Sequence, residues 1–188
     1  MKRARGNSSD LTGGTGDVNP QFLSETVTQS AADTTTTTTI NLPIQRIAAN
    51  APSQAIVMEV LKIFVQLPVF GDVGNVAETS KSLNCIFSTR NTGTTNQSLG
   101  DAAVFAVART TQQGAWTAAG SYAYQEFPIV IVDLTDGAGH GILIATDSIY
   151  VQVVSAATGN TNSPQFKILY RWKRVSLAEY IGIVQSQQ

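Results

Sequence analysis

The residues that could support catalysis are few and lie far apart in the sequence. The only histidine, His140, lies between two glycines, and the only cysteine, Cys85, lies in an apolar run. A Ser-His-Asp or Cys-His site would have to use His140, and no Gly-x-Ser-x-Gly motif surrounds any serine. We therefore expect no catalytic residue and no enzymatic activity, with His140 in an exposed turn and Cys85 as a small residue of the core.

Candidate metal and phosphate sites are also sparse. One cysteine and one histidine do not supply the about four ligands of a zinc site. Asp133 and Asp136 could place two carboxylates on one loop, but the spacing and the distal glutamate of an EF-hand are absent, which favours an Asp-Gly turn. Residues 13–16 lack the Gly-Lys-Ser/Thr ending of a phosphate-binding loop. We expect no cofactor and no metal; ion binding by Asp133 and Asp136 stays open.

Basic residues concentrate at the two ends of the chain. Three lie within residues 1–5, and Arg171-Trp172-Lys173-Arg174 interleaves cations with an aromatic ring. Cations on a flexible segment suit phosphate contact, and an aromatic among cations suits phosphate contact plus base stacking. We therefore predict weak, salt-dependent nucleic-acid contact by Lys2, Arg3, Arg5, Arg171, Lys173 and Arg174. The alternatives are a solvated terminus for the first group and a strand with one wet face for the second.

The composition favours strands over helices. Charged residues make up 13% of the 188 residues, against about 25% in an average globular protein. Helical proteins usually carry many charges on their wet faces, whereas Thr, Val and Ile suit strands. No segment reaches the roughly 18 apolar residues of a membrane span. The N-terminus continues polar after its basic residues, so we expect no signal peptide and a protein made and kept in a reducing compartment.

Residues 1–33 predict a polar N-terminal arm, with a single domain over residues 34–188. The run 6–16 has almost nothing to bury, so it cannot offset its own ordering entropy. A neighbouring subunit is the simplest way to hold such a segment, and the alternative is an arm lying along its own domain. Because its charge is small, we expect the arm to strap subunits together rather than to act mainly as a DNA-binding tail.

The remainder of the chain predicts seven or eight strands. Six threonines at 34–39 lead into the alternating Ile40, Leu42 and Ile44, and residues 55–67 are a strand by residue type despite helical spacing of their polar positions. Further strands are predicted at 83–89, 102–110, 122–134 (as one strand or two), 141–156 and 164–175. Ser176 and Glu179 have the spacing of a capping box, which predicts a short helix. The pattern indicates an all-β fold: a single antiparallel β-sandwich or jelly roll with an extended arm.

Four stretches have a characteristic sequence: residues 11–21, the Thr-rich segment leading into Asn41-Leu42-Pro43-Ile44-Gln45-Arg46, the run Val57-Met58-Glu59-Val60-Leu61-Lys62, and residues 166–187. They resemble coat proteins of small circular Rep-encoding single-stranded DNA (CRESS-DNA-like) viruses. The resemblance implies a viral jelly roll and a virion location. It also implies an icosahedral shell of many identical copies with single-stranded DNA as a non-sequence-specific partner. Many arms in that group are long and Arg-rich, whereas this one turns neutral after Arg5.

Two other functions compete with a coat protein. A β-sandwich binding module, such as a glycan-binding or fibre-tip domain, would explain the strands, the low charge, and Trp116 and Tyr122 in a Gly/Ala-rich region. A hydrolase on a β-scaffold would depend on His140.

Overall fold

The computed structural model describes residues 19–42, 47–48, 51–68, 70, 79–114 and 129–187, which form ten strands and one helix. The elements are β1 (Gln21–Thr26), β2 (Thr35–Asn41), β3 (Ile47–Ala48), β4 (Ala51–Gln66), β5 (Thr79–Ser88), β6 (Val104–Gly114), β7 (Val130–Asp133), β8 (Ile142–Ile144), β9 (Ser148–Ala156), β10 (Gln165–Ser176) and α1 (Leu177–Ser186). Among these residues, no helix has the length and apolarity to cross a membrane.

The strands form two antiparallel sheets that face each other. Sheet A runs β1-β10-β4-β3, with β7 and β8 also paired to β4, and sheet B runs β2-β9-β5-β6. The pairings are nested along the chain: β1 with β10, β2 with β9, β4 with β7 and β8, and β5 with β6. A long antiparallel hairpin that is rolled into two sheets gives this nesting, which is the topology of a jelly roll.

Side chains alternate between the two faces of each strand, and the inward-facing ones form the core between the sheets. Ile168 of β10 and Ile63 of β4 lie opposite each other and are fully buried, and Phe87 of β5 meets Phe166 edge-on from the other sheet, with ring centroids 5.3 Å apart. Cys85 is fully buried in the same cluster, where burial raises the pKa of its thiol to about 12. The prediction that Cys85 is a core residue is confirmed.

A β-bulge in β4 decides which side chains leave the core. Val60 and Ile63 both face inward, so Leu61 is the extra residue, and the pairing with β10 shifts there. β7 pairs with β4 on one side of the bulge and β8 on the other, while residues 134–141 leave the sheet. A Cβ on Gly141 would lie 2.1 Å from the carbonyl oxygen of Val60, so only glycine fits at this crossing.

The structure confirms most predicted elements and corrects one. Strands cover the predicted runs at 55–67, 83–89, 102–110 and 164–175, and the Ser176 side chain accepts a hydrogen bond from the Glu179 N–H at 3.2 Å to begin α1. The run 141–156 is two strands in different sheets, β8 and β9, because the chain turns at residues 145–147. The threonine run itself forms most of β2, and residues 43–46 and 115–128 lie outside the described residues.

Part of the predicted arm packs on the sandwich. Residues 1–18 lie outside the described residues, but Gln21–Thr26 form β1 against β10, and Val27 and Gln29 are buried. The N–H of Val27 donates to the carbonyl of Pro164 at 3.1 Å. β1 is an edge strand with one face to solvent, so its polar composition is compatible with a place in the sheet. The sandwich thus includes residues before the predicted boundary at 34.

Candidate functional site on the outer face of sheet A

Strand alternation divides the C-terminal cations that were predicted to contact nucleic acid. Arg171 and Lys173 of β10 project from the outer face of sheet A, together with Glu59 of β4, which lies opposite Arg171. Arg174 projects from the other face, and its Nε atom is buried without a hydrogen-bond partner among the described residues. The sheet therefore brings two of the three cations together. The other three predicted contacts, Lys2, Arg3 and Arg5, lie outside the described residues.

A buried carboxylate organises the two cations. Glu59 is fully buried; its Oε2 accepts a hydrogen bond from Arg171 Nε at 2.5 Å and its Oε1 accepts one from the Gly141 N–H at 3.0 Å. Lys173 Nζ lies 3.6 Å from Oε1, and Arg171 also donates to the carbonyl of Gly139 at 3.1 Å. Burial alone would raise the pKa of Glu59, but these hydrogen bonds and charges outweigh it and hold the pKa below its ordinary value.

This ionic cluster of Glu59, Arg171 and Lys173 has two positive charges and one negative charge. Arg171 is largely covered, with 14% of its side chain exposed, whereas Lys173 exposes 32%. The guanidinium is held in one orientation by Glu59 and by the loop at Gly139. Arg171 therefore serves mainly as a structural ion-pair partner, and Lys173 carries the more accessible charge.

The loop between β7 and β8 uses its carboxylates to shape turns. Asp136 Oδ1 accepts from the N–H groups of Ala138 and His140 at 2.9 and 3.0 Å, and His140 is exposed, as predicted. Asp133 Oδ2 lies 2.7 Å from Lys62 Nζ, and this hydrogen bond is the main reason that the pKa of Asp133 falls to about 2. Among the described residues no three His, Cys, Asp or Glu come together as a metal site.

An apolar patch occupies the other end of the same face. The strand register places Phe22, Leu169 and Lys62 in one row across β1, β10 and β4, and Ser24, Lys167, Phe64 and Ile131 in the next row, which reaches β7. Phe22 and Ile131 are 61% and 58% exposed, and the Phe22 and Phe64 rings lie 6.3 Å apart. We call the following five side chains the apolar patch: Phe22, Phe64, Ile129, Ile131 and Leu169.

A cavity of about 510 Å³ adjoins the patch. It opens between Ser24 and Thr26 of β1 and Phe64 and Ile129 of the patch, with the charged Glu25 and Lys167 also in its wall. An exposed apolar surface beside such a cavity is typical of a site that another molecule covers. The sequence did not reveal it, because Phe22 lies in the predicted arm and the outward orientation of Phe64 depends on the bulge at Leu61.

Helix α1 covers the opposite end of the face. Tyr180, Ile183 and Val184 pack on Val57 of β4 and Val175 of β10. Beyond the helix, Gln187 donates to the carbonyl of Leu143 and accepts from the N–H of Ala145, which ties the segment to β8. The outer face of sheet A thus has three zones along β10: the apolar patch, the ionic cluster, and α1.

Comparison with solved structures places the fold among viral proteins. VP1 of Trichodysplasia spinulosa-associated polyomavirus, in complex with sialylated precision glycooligomers, matches with a TM-score of 0.52 at 12% identity over 88% of this chain and 98% of that one. Merkel cell polyomavirus VP1, in complex with 3'-sialyllactosamine, matches with a TM-score of 0.51 at 8% identity over 86% and 98%. No protein-family model matches the sequence, and no curated protein matches it significantly. These likenesses show the fold, an antiparallel jelly roll of the VP1 kind.

Proposed function

We propose that the chain is a viral capsid protein whose many copies self-assemble into an icosahedral shell that encloses single-stranded DNA. The observation that carries the proposal is the nested strand pairing in two facing sheets, a fold shared with polyomavirus VP1 capsid proteins. The resemblance of residues 11–21 and 166–187 to coat proteins of CRESS-DNA-like viruses supports the narrower assignment to that group.

The outer face of sheet A supports self-assembly. Phe22 and Ile131 are each more than half exposed on one sheet face. An isolated domain gains no stability from such exposed apolar side chains, whereas a subunit of an assembly buries them against its neighbours. The low charged fraction of 13% also suits a protein with several interfaces, because charged residues are depleted at interface cores. The location that follows is the virion, with other copies of the chain as partners and no membrane.

Contact with single-stranded DNA is part of the proposal and rests on charge. The proposed contacts are Lys2, Arg3, Arg5, Arg171, Lys173 and Arg174. Of the described ones, Lys173 is the most available, since Glu59 holds Arg171 in place and the Nε of Arg174 is buried. Because so few cations are accessible, the expected binding is weak and without base specificity, and it falls as salt rises with a small slope for each copy.

Electron microscopy of the purified full-length protein tests assembly, and its ratio of absorbance at 260 and 280 nm tests nucleic-acid content. We expect closed particles with a ratio above that of protein alone. A protein that stays monomeric across a range of salt and pH would overturn self-assembly, whereas particles with a protein-like ratio would overturn only DNA packaging. The variant Lys2→Ala/Arg3→Ala/Arg5→Ala is expected to keep the particles and lower the ratio.

Glycan binding is the second candidate function. It is favoured by the VP1 proteins in the comparison, which were solved with sialylated glycans. The aromatic residues nominated for it, Trp116 and Tyr122, lie outside the described residues. A glycan array probed with particles and with dissociated subunits separates the two functions. Binding by a chain that never assembles would favour the binding module over the coat protein.

A further inference from the structure

We propose that two copies of the chain pair face to face through sheet A, with α1 of each copy lying on the apolar patch of the other. The inference rests on the proposed self-assembly and names one contact within it. It assigns a single occupant, a second copy of this chain, to two surfaces that the fold leaves uncovered.

The first observation is that α1 exposes apolar side chains beside the side that packs on sheet A. Tyr180, Ile183 and Val184 pack on the sheet, yet Leu177 and Ile181 remain 40% and 48% exposed. The small Ala178 and Gly182 lie next to them, and a Cβ on Gly182 would meet nothing within 4 Å. The polar residues of the helix are Glu179, Gln185 and Ser186, and only Glu179 is charged. Leu177, Ala178, Ile181 and Gly182 therefore form an exposed apolar flank of the kind that a second contact buries.

The second observation is that the patch has about the length of this helix. Its rows, from Phe22 to Thr26 along β1, cover five residues and four steps of the strand, or about 13 Å. The ten residues of α1 are about 15 Å long. The cavity beside the patch can receive Ile181 or Leu177. Its wall contains Lys167, a cation that can pair with Glu179, and also Glu25, an acid that would repel Glu179.

The third observation is that the two surfaces lie at opposite ends of one face. The patch lies at the start of β10 and α1 follows its end, with the ionic cluster between them. A two-fold axis parallel to the sheet and perpendicular to its strands reverses both the face and the strand direction. One such operation places each helix on the other copy's patch, so both surfaces are covered in a single reciprocal contact.

The charges in the proposed contact determine how the pairing responds to salt. The two ionic clusters face each other across the axis, separated by the thickness of the helices, about 10 Å. Arg171 and Lys173 exceed Glu59 by one charge in each copy, so the two centres repel weakly. Added salt screens this repulsion as well as the attraction between Lys167 and Glu179, so the pairing should respond to salt much less than a nucleic-acid contact does.

Cysteine cross-linking of the full chain tests the contact directly. Cys85 is buried and stays inert, so the variant Ala178→Cys/Ser24→Cys carries one reactive thiol on the helix and one on the patch. A bis-maleimide reagent tolerates small errors in register better than a disulfide, which needs Cα atoms about 4.4–6.8 Å apart. We expect cross-linking that stops at the dimer, because the two bridges close the pair.

The matched control moves one thiol to sheet B. The variant Ala178→Cys/Ser98→Cys, with the second thiol in the exposed loop on the sheet B side, is expected to give no discrete dimer. A ladder of higher species from Ala178→Cys/Ser24→Cys would overturn the reciprocal geometry, and equal cross-linking of both variants would overturn the contact. Particles that form without this cross-link would contradict the pairing but support the capsid function. A cross-linked dimer that never forms particles would support the pairing but contradict the capsid function.

A charge on the helix gives an independent test by sedimentation velocity. Ile181→Glu is expected to abolish pairing, and Leu99→Glu, which makes the same kind of change at a residue 71% exposed on the sheet B side, is expected to preserve it. If Ile181→Glu keeps the dimer, or if pairing requires DNA and weakens with salt, the face binds nucleic acid instead and the inference is wrong.

Discussion

The outer faces of the two sheets are completed by different means. On sheet B, the chain covers itself: Gln152 is fully buried beneath the loop at residues 91–97, accepting from the Gln97 N–H at 3.0 Å and donating to the Thr95 carbonyl at 2.9 Å. Threonines of β2 add to this cover, since Thr37 Oγ1 donates to the carbonyl of Gly93. Hydrogen-bonded polar residues therefore cover this part of the outer face of sheet B.

On sheet A, only part of the face is covered by the chain's own residues. Helix α1 and the ionic cluster of Glu59 cover one end and the middle, and the other end exposes Phe22, Ile129 and Ile131. A polar network fixes a surface without help from outside, whereas an exposed apolar surface gains free energy only when another molecule covers it. The difference supports the proposal that sheet A, and not sheet B, carries the contact between copies.

Among changes to the two outer faces, the largest expected effect comes from removing the buried carboxylate at the centre of sheet A. Glu59→Ala leaves the guanidinium of Arg171 and the N–H of Gly141 without their buried acceptor. We expect a loss of about 3 kcal/mol in the free energy of unfolding. Urea denaturation followed by tryptophan fluorescence measures it. A loss below about 1 kcal/mol would mean that water takes the place of the carboxylate as acceptor and that solvent reaches this part of sheet A.

The next effect tests the cover of sheet B. Gln152→Leu removes the acceptor of the Gln97 N–H and the donor to Thr95, and we expect a loss of about 2 kcal/mol. Hydrogen exchange should quicken at residues 92–97 and stay unchanged in β10. Equal acceleration in both sheets would contradict the idea that the polar cover is local to sheet B.

Acid should weaken the middle of sheet A. The pKa of Glu59 is held below its ordinary value of 4.5, so its ionised form stabilises the fold above that pH, and the contribution is lost as pH falls through the lowered folded-state value. Wild-type stability should therefore drop more steeply below about pH 4.5 than that of Glu59→Gln, which has no such carboxylate to protonate. Parallel pH profiles of the two proteins would show that other acids dominate.

The smallest effect on stability belongs to the apolar patch. Phe22→Ser removes a side chain that is 61% exposed, so the unfolding free energy of the unassociated chain should change by no more than about 0.5 kcal/mol. The fully buried Phe87 is the matched control, because Phe87→Ala should cost about 4 kcal/mol. Association of the Phe22→Ser protein, measured by sedimentation, should nevertheless fall. Unchanged association would remove the distinction between the two faces.

Residue type and spacing predict most of the sandwich but not its functional face. Strands such as β5 and β10 follow from alternating apolar residues, and the Ser176 cap predicts where α1 begins. β1 escaped prediction because an edge strand with one wet face buries little. The bulge at Leu61 also has no local signature, and it alone sets whether Phe64 faces the core or solvent.

The arrangement of the predicted cations could not be read from the sequence for the same reason. A run of neighbouring cations looks like one basic surface in the sequence, but period-two alternation sends Arg174 to the opposite side from Arg171 and Lys173. The partner that matches much of their charge, Glu59, lies 112 residues away from Arg171 in the chain. Only the pairing of β10 with β4 brings these side chains together.

The nested pairing of strands also sets the order in which the molecule can be built. β10 lies between β1 and β4, and its contact with β1 joins residues 149 apart, such as Gln21 and Tyr170. The β5–β6 hairpin can close locally and early, whereas sheet A has no continuous surface until β10 is inserted. A polypeptide interrupted before residue 165 therefore lacks both the finished patch and α1. An incomplete chain would therefore be unable to make the pairing that we propose for sheet A, and β10 would act as a checkpoint for that contact.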